Sequence, residues 1–161
     1  ILQLGGWARN EDRVFEGEDP DALRDFQDPL IRLQSPIRYR LTAHLAAGEL
    51  LVRGEVSVAV SARCGRCGEW RDAVFRAPDF LRSIPVRTLN DVINLTEDIR
   101  EDTLLAFPAN FVCSASCQGV CPECGANRNQ AACSCSLKNG HAGWRALDTW
   151  QPAQPSGRAG A

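Results

Sequence analysis

The clearest pattern along the chain is an alternation of apolar and polar residues in two consecutive runs, residues 36–46 and 50–63. The apolar positions are Ile37, Tyr39, Leu41, Ala43 and Leu45 in the first run and Val52, Gly54, Val56, Val58, Val60 and Ala62 in the second. A period of two is typical of half-buried strands. Because the glycine-containing segment 46–49 between the runs supplies a turn, the sequence predicts an antiparallel β-hairpin that carries the core.

The chain after the hairpin predicts one further strand and one main helix. Residues 70–77 would extend the hairpin into an antiparallel meander, although their alternation is too poor to assign faces, and residues 82–92 are expected to be a connection. Asn94 is a suitable N-cap for the helix, and Glu97 lies where it would close a capping box. The apolar stripe of the helix consists of Leu95, Ile99 and Ala106, with Leu105 beside them. Pro108 is expected to stop the helix.

Both ends of the chain differ in composition from its middle. Residues 1–34 are expected to form an acidic N-terminal arm with one short helix near residues 21–26, because the first 30 residues carry eight acidic and three basic side chains. Such an arm could be a solvated tail, or it could cover the basic middle segment like a lid. Residues 136–161 are rich in glycine, alanine and proline and are expected to be a flexible tail.

Six of the eight cysteines lie within residues 111–135. Cys121 and Cys124 have the C-x-x-C-G spacing, in which one tight turn aims two thiolates at the same ion, and Cys133 and Cys135 supply two more sulfurs. The sequence therefore predicts a structural Zn²⁺ site of four thiolates. The expected fold is α+β, an antiparallel β-meander with one main helix and a C-terminal cysteine-rich zinc knuckle over residues 111–135.

The remaining cysteines, Cys64, Cys67, Cys113 and Cys117, could form a second four-thiolate site. Alternatively, the two C-x-x-C-G turns, which begin at Cys64 and Cys121, could share one ion as in zinc ribbons. An iron–sulfur cluster also uses four cysteines, and His141 could replace one ligand. A redox role for a C-x-x-C pair is disfavoured because no βαβ pattern surrounds it. His44 is interpreted as a surface histidine on the polar face of its strand.

Four arginines, Arg38, Arg40, Arg53 and Arg63, would project from the polar face of the hairpin. Regularly spaced guanidinium groups suit contacts with phosphate, so this face is either an RNA-binding surface or an ordinary solvated sheet face. The formal net charge of −2 hides the segregation, since residues 31–90 carry ten arginines and five acidic residues.

Taken together, three segments resemble the YceD family, the large ribosomal RNA subunit accumulation proteins. They are the strand that ends in a cysteine pair (residues 56–67), the acidic helix that ends in Leu-Leu-Ala-x-Pro (residues 94–108) and the cysteine-rich close (residues 117–135). The resemblance covers about residues 35–135, which would form a YceD-like domain that includes the knuckle. It implies a cytoplasmic factor that supports accumulation of large-subunit ribosomal RNA and ribosome biogenesis, with ribosomal RNA or a large-subunit ribosomal protein as its partner.

The residues themselves predict that the protein is not an enzyme. No nucleophile is paired with a histidine, no phosphate-binding loop is present, and the thiols are accounted for by metal. No membrane contact and no small-molecule substrate are expected, since no apolar run approaches the length of a membrane span. Two alternatives remain at this point: a zinc-stabilised protein-interaction module without RNA contact, and an oxidoreductase that uses its cysteine pairs.

Overall fold

A computed structural model of the chain describes residues 2–3, 11–88, 91–135 and 150. Its elements, in chain order, are β1 (Leu2–Gln3), β2 (Asp12–Asp19), β3 (Ile31–Leu33), β4 (Ile37–Ala46), β5 (Glu49–Arg63), β6 (Trp70–Pro85), β7 (Val92–Ile93) and α1 (Thr96–Leu105). The predicted tail 136–161 lies outside the described residues, except for Trp150.

β5 is the central strand of a five-stranded antiparallel sheet. One edge of β5 pairs with β4 over Glu49–Ser57 and then with β3 over Val60–Ala62. Its other edge pairs with β6 along almost its whole length. β2 pairs with β4 and forms one outer edge of the sheet, while β1 and β7 form a separate two-stranded pair. The β-meander of β4, β5 and β6 that the sequence predicts is therefore confirmed.

The predicted facing of the hairpin is also confirmed. Ile37, Leu41 and Leu45 of β4 are buried, and the alternate residues of β5 from Val52 to Ala62 are buried as well, apart from Gly54. Ala47 and Gly48 form the turn with φ angles of 52° and 82°. Positive φ at both central residues is the requirement of the type I′ turn, whose twist matches that of the two strands it joins.

β6 extends well beyond the predicted residues 70–77, and residues 82–85 are strand rather than connection. The pairing of β5 with β6 shifts at Gly54/Val56, so that Glu55 alone faces both Pro78 and Asp79. Proline has no backbone N–H, and a bulge at this place removes the need for one. The bulge also reverses the facing along β6, which explains why the sequence shows no regular alternation there and why Phe80 is buried.

The segment expected to be an acidic arm contributes three strands, β1, β2 and β3. β2 pairs over its full length with β4, and only Phe15 among its residues is an apolar side chain packed against the core. The short helix expected near residues 21–26 does not form. These residues make a turn instead, in which Asp19 Oδ1 accepts hydrogen bonds from the backbone amides of Asp21 and Ala22.

α1 lies on the inner face of the sheet and buries Leu95, Ile99 and Thr103. The predicted capping box is absent, because the helix begins at Thr96 with Leu95 at the N-cap position and no side chain caps it. Asn94, one residue before the N-cap, still stabilises the start of the helix, because its Oδ1 accepts a hydrogen bond from the amide of Thr96. Leu105, which the sequence places in the apolar stripe, is 75% exposed, and Thr103 is buried instead, with its hydroxyl donating to the carbonyl of Ile99.

The α+β assignment is wrong. Of the residues that the structure describes, 45% are strand and only 8% are helix, so the protein is an antiparallel β-sheet protein with one short helix. The assignment failed because β2, β3 and the second half of β6 were not recognised as strands. The segment after α1 completes the inner face with aromatic contacts, since Phe107 and Phe111 both pack against Phe75.

Candidate metal centres and arginine face

The first cluster consists of Cys64, Cys67, Cys113 and Cys117, whose Sγ atoms all lie within 4.8 Å of one another. Two of these distances, Cys64 Sγ to Cys117 Sγ and Cys67 Sγ to Cys113 Sγ, are 3.9 Å. A Zn–S bond of about 2.3 Å in a tetrahedral site gives an S–S separation of about 3.8 Å. The sulfurs are therefore spaced as the corners of a single tetrahedral metal site.

The turn between β5 and β6 positions the first pair of sulfurs. The amide of Gly68 donates to the carbonyl of Cys64 at 2.8 Å, and Gly68 takes a φ of 75°, which closes the turn at little steric cost. The amide of Arg66 donates to the Sγ of Cys64 at 3.4 Å. Such N–H···S contacts favour the thiolate form that a metal requires.

The segment after α1 brings the second pair of sulfurs to this turn. The amide of Gly65 donates to the carbonyl of Phe111 at 2.8 Å, and the amide of Cys113 donates to the Sγ of Cys64 at 3.4 Å. Three of the four cysteines are buried, and Val112 packs against them. The first cluster is therefore a closed site at the end of the sheet.

The second cluster consists of Cys121, Cys124, Cys133 and Cys135, again with all Sγ atoms within 4.8 Å of one another. It lies in a compact loop that is closed by a bridge between Val120 and Asn127 and by a hydrogen bond from the amide of Gly125 to the carbonyl of Cys121. Only Cys121 is buried, whereas Cys124 is exposed. This cluster therefore combines the geometry of a metal site with access to solvent.

Within the first cluster the thiols differ in acidity. Burial opposes ionisation of Cys64, but hydrogen bonds from the backbone amides of Cys113, Cys67 and Arg66 outweigh it and lower the pKa of Cys64 to about 6. The hydrogen bond to Cys117 and burial raise the pKa of Cys113 to about 12. Without a cation these sulfurs must share protons, because four adjacent thiolates repel one another.

The thiols of the second cluster also differ in acidity. The backbone amides of Cys124 and Glu123 lower the pKa of Cys121 to about 7, and the hydrogen bond to Cys124 together with burial raises the pKa of Cys135 to about 12. A divalent cation between the sulfurs would stabilise all four thiolates at once. The donor sets of both clusters therefore fit a metal ion.

The two groups settle which cysteines lie together. The ribbon-like pairing of the two C-x-x-C turns is not formed, because Cys64 and Cys67 lie with Cys113 and Cys117. His141 lies outside the described residues. His44 lies on the polar face of β4 as expected, and its Nδ1 lies 2.6 Å from Oδ1 of Asp12.

Two residues of the second loop, which the sequence analysis did not single out, connect the clusters. The side-chain amide of Asn129 donates to the Sγ of Cys117 at 3.5 Å, and its Oδ1 accepts from the amide of Gln118 at 2.8 Å. Asn127 donates to Glu69 at 3.4 Å. The signal in the sequence is the run Asn-Arg-Asn that follows the C-x-x-C-G turn, because asparagines in turns commonly bond nearby backbone and side-chain groups.

The four candidate arginines all lie on the outer face of the sheet, but they differ in their partners. Arg38 pairs with Glu18 and Arg40 pairs with Glu16, each with a shortest distance of 2.9 Å, and both acids belong to β2. Arg63 donates to the carbonyl of Gly68, and Arg53 is exposed without an ion pair among the described residues. The predicted arginine face therefore exists, and the acidic strand covers half of it.

One part of the chain, residues 79–149, matches a known protein family. No helix among the described residues is long and apolar enough to cross a membrane. No curated protein and no solved structure matches the chain significantly. The family described as large ribosomal RNA subunit accumulation protein YceD matches residues 79–149, a segment that includes α1 and six of the eight cysteines and leaves the strand at residues 56–67 outside. This match confirms the resemblance to the YceD family over residues 79–149.

Proposed function

We propose that this protein is a non-enzymatic cytoplasmic factor that supports accumulation of large-subunit ribosomal RNA and holds one Zn²⁺ ion in each cysteine cluster. The observation that carries the proposal is the match of residues 79–149 to the YceD family. Its partner would be ribosomal RNA or a large-subunit ribosomal protein.

Zinc is favoured over other metals by the donor sets. Four thiolates in tetrahedral spacing suit a structural zinc ion and leave no position open for water. A [4Fe–4S] cluster would have to place eight inorganic atoms among the sulfurs, whereas sulfurs within 4.8 Å of one another surround a single ion. Elemental analysis of protein purified under reducing conditions should find about two equivalents of zinc. Less than about half an equivalent would exclude the zinc assignment.

The same sites support the proposed absence of catalysis. A closed four-thiolate site offers neither a metal-bound water nor a free nucleophile. Among the described residues the one histidine, His44, is bound to Asp12 on the outer face and is far along the sheet from the cysteines, at the opposite end of β4 and β5. Among the described residues, neither cluster therefore has a histidine beside it that could act as a general base.

Contact with RNA would use the outer face of the sheet. Arg53 and Arg63 are available there without carboxylate partners among the described residues, and Arg38 and Arg40 could exchange the carboxylates of β2 for phosphates. Both ion pairs are largely exposed, so their exchange would cost little. β2 would then act as a competitor that limits unspecific binding of nucleic acid.

Two kinds of experiment test this proposal. Cells without the protein should contain less large-subunit than small-subunit ribosomal RNA, and a balanced ratio would exclude the assignment to this process. Replacing Arg38, Arg40 and Arg53 together with glutamine should weaken RNA binding and reduce its dependence on salt. The matched control replaces Glu16 and Glu18 with glutamine, which should strengthen RNA binding because the two arginines lose their competitors.

A protein-interaction module without RNA contact is the second candidate. It is favoured by exposed apolar side chains on the same outer face, where Val14 is 59% exposed and Leu81 is 57% exposed. Glu55 of β5 lies opposite Arg40 of β4 on this face, so the face carries charges of both signs. Binding to a large-subunit ribosomal protein that survives high salt, together with no RNA binding at low salt, would favour this candidate.

A further inference from the structure

The two cysteine clusters differ in how much of the protein surrounds them. In the first cluster Cys64 is 2% exposed, Cys67 and Cys117 are each 7% exposed, and a hydrophobic neighbour packs against them. In the second cluster Cys124 is exposed, as is every residue from 122 to 125. Small oxidants in solution therefore have a cysteine of the second cluster at the surface, whereas three of the four cysteines of the first cluster are buried and Cys113 is partly exposed.

The first cluster is also more firmly connected to the rest of the protein than the second. The first cluster ties the β5–β6 turn to the segment after α1, with Cys67 and Cys113 separated by 46 residues in sequence. The second cluster is local to residues 121–135, and none of the buried core residues belongs to it except Cys121 itself. The loop of the second cluster therefore depends on its metal and a few backbone hydrogen bonds, rather than on an apolar core.

The thiols of the second cluster lie close together, since all four Sγ atoms are within 4.8 Å of one another. Cys121 is buried, whereas Cys133 and Cys135 are partly exposed. Cys124 therefore has accessible thiols of the same loop near its own sulfur, and it is the neighbour that most raises the pKa of Cys135. An oxidised Cys124 would have a resolving thiol beside it without any movement of the sheet.

We propose that the second cluster is an oxidation site for hydroperoxides, at which Cys124 is attacked first, a Cys124–Cys135 disulfide forms, and the metal ion leaves while the first cluster stays intact. This inference rests on the proposed binding of zinc and is independent of the proposed role in ribosomal RNA accumulation.

The chemistry balances with the hydroperoxide as the only oxidant. The Cys124 thiolate attacks one peroxide oxygen, so that an S–O bond forms, the O–O bond breaks, and the leaving alkoxide or hydroxide takes a proton from water. The Cys135 thiolate then attacks the sulfur of the resulting sulfenic acid, an S–S bond forms, and the oxygen leaves as water after protonation. Two electrons pass from the two sulfurs to the peroxide. The two remaining thiols do not complete a tetrahedral zinc site, so the ion is released.

The experiment follows zinc release from the full-length, zinc-loaded protein after the reductant has been removed. Hydrogen peroxide, and in parallel tert-butyl hydroperoxide, is added in the presence of a chromogenic zinc chelator. Alkylation of the remaining thiols and peptide mass spectrometry then identify the disulfide. We expect one of the two zinc equivalents to be released at least about tenfold faster than the other, with a disulfide between Cys124 and Cys135. Thiol reductant and zinc should restore the starting state.

Two variants make the test specific. Cys124→Ser removes the attacking sulfur, so the rapid formation of a disulfide should be lost whether or not the second cluster still binds zinc. Ser134→Ala changes an exposed side chain between two ligands of the same loop and should leave both phases of zinc release unchanged.

Different failures are distinguishable. Release of both equivalents at one rate, faster release from the first cluster, or a rapid disulfide between other cysteines would overturn the inference alone. Less than about half an equivalent of zinc in the purified protein would overturn this inference and the zinc assignment together. None of these results bears on the ratio of large-subunit to small-subunit ribosomal RNA, which is measured in cells lacking the protein.

Discussion

Val58 provides the sharpest test of how the sheet buries its core. It lies in the middle of the central strand β5, is 1% exposed, and faces Phe75 across the β5–β6 pair. Val58→Asp replaces an apolar contact with a carboxyl group for which the surrounding apolar residues offer no partner. The neighbouring Ser57 provides a matched control, because it points to the outer face between Arg38 and Arg76.

The expected destabilisation has three parts. Loss of the buried valine side chain removes about 2 kcal/mol. A carboxyl with a solution pKa of about 3.9 that is kept neutral at pH 7 adds about 4 kcal/mol, at about 1.36 kcal/mol for each pH unit. A buried carboxyl without hydrogen-bond partners adds about 1–3 kcal/mol. The sum is close to the whole stability of a typical domain, about 5–15 kcal/mol, so Val58→Asp should be largely unfolded at neutral pH.

The pH dependence has a defined sign. Burial raises the pKa of the introduced carboxyl in the folded state, so the folded protein binds the proton more tightly than the unfolded chain. Stability is therefore lost as the pH rises above the unfolded pKa, by about 1.4 kcal/mol per pH unit until the folded pKa is reached. Urea denaturation followed by circular dichroism at about pH 4.5 and about pH 5.5, where part of the variant is still folded, should show this slope for Val58→Asp relative to the parent. Ser57→Asp should stay within about 1 kcal/mol of the parent at both values, because it faces two arginines.

Two results would refute this reasoning. Equal midpoints for Val58→Asp and Ser57→Asp would mean that the two faces of β5 are not buried as described. A strong destabilisation without any pH dependence would mean that the introduced carboxyl reaches water, and that the loss comes from packing alone.

Three further substitutions test local features. Ala47→Asn should raise the stability by up to about 1 kcal/mol, seen as a higher melting temperature, because asparagine tolerates the positive φ of this turn position better than alanine does. Gly54→Ala should destabilise by about 3 kcal/mol, because a Cβ would lie 2.1 Å from the backbone oxygen of Arg40; a melting temperature equal to the parent's would contradict that close approach. Arg82→Gln should lower the free energy of unfolding by about 2 kcal/mol and reduce the helical circular dichroism signal. The reason is that Arg82 donates to Asp98 at 2.7 Å and to Asp102 at 2.8 Å across the β6–α1 contact. An unchanged helix signal would show that the apolar contacts alone hold α1.

The sequence predicted the hairpin well because its signal is local. The residues of β4 and β5 alternate over long runs, and a strand with one face buried must follow that alternation. β2 carries no such signal, since Phe15 is the only large apolar residue on its inner face. Its place in the sheet depends on pairing with β4, where Glu16 and Glu18 meet Arg40 and Arg38, and a residue pattern within one strand does not specify such pairing across strands.

The two candidate metal sites also differ in how far apart their cysteines lie in the sequence. Cys121, Cys124, Cys133 and Cys135 lie close in sequence, and their spacing favours the grouping that the structure shows over the ribbon-like alternative. The grouping of Cys64 with Cys117, 53 residues later, depends on contacts far from any cysteine. Phe111 packs on Phe75 of β6, and its carbonyl accepts the amide of Gly65, which sets the later pair of sulfurs over the β5–β6 turn.

These two kinds of grouping give the clusters different consequences for the fold. A cross-link between Cys67 and Cys113 closes a loop that contains all of β6 and all of α1, and closing a loop of that length is worth about 4 kcal/mol in chain entropy. Loss of the metal from the first cluster would therefore free α1, and with it the buried Ile99, from the sheet. A cross-link within residues 121–135 is worth about 3 kcal/mol by the same relation, and what it orders is an exposed loop that contributes little to the core. A metal ion bound in the second cluster could consequently leave while the sheet, the arginine face and the first cluster remain folded, which is the condition that the proposed reversible oxidation site has to meet.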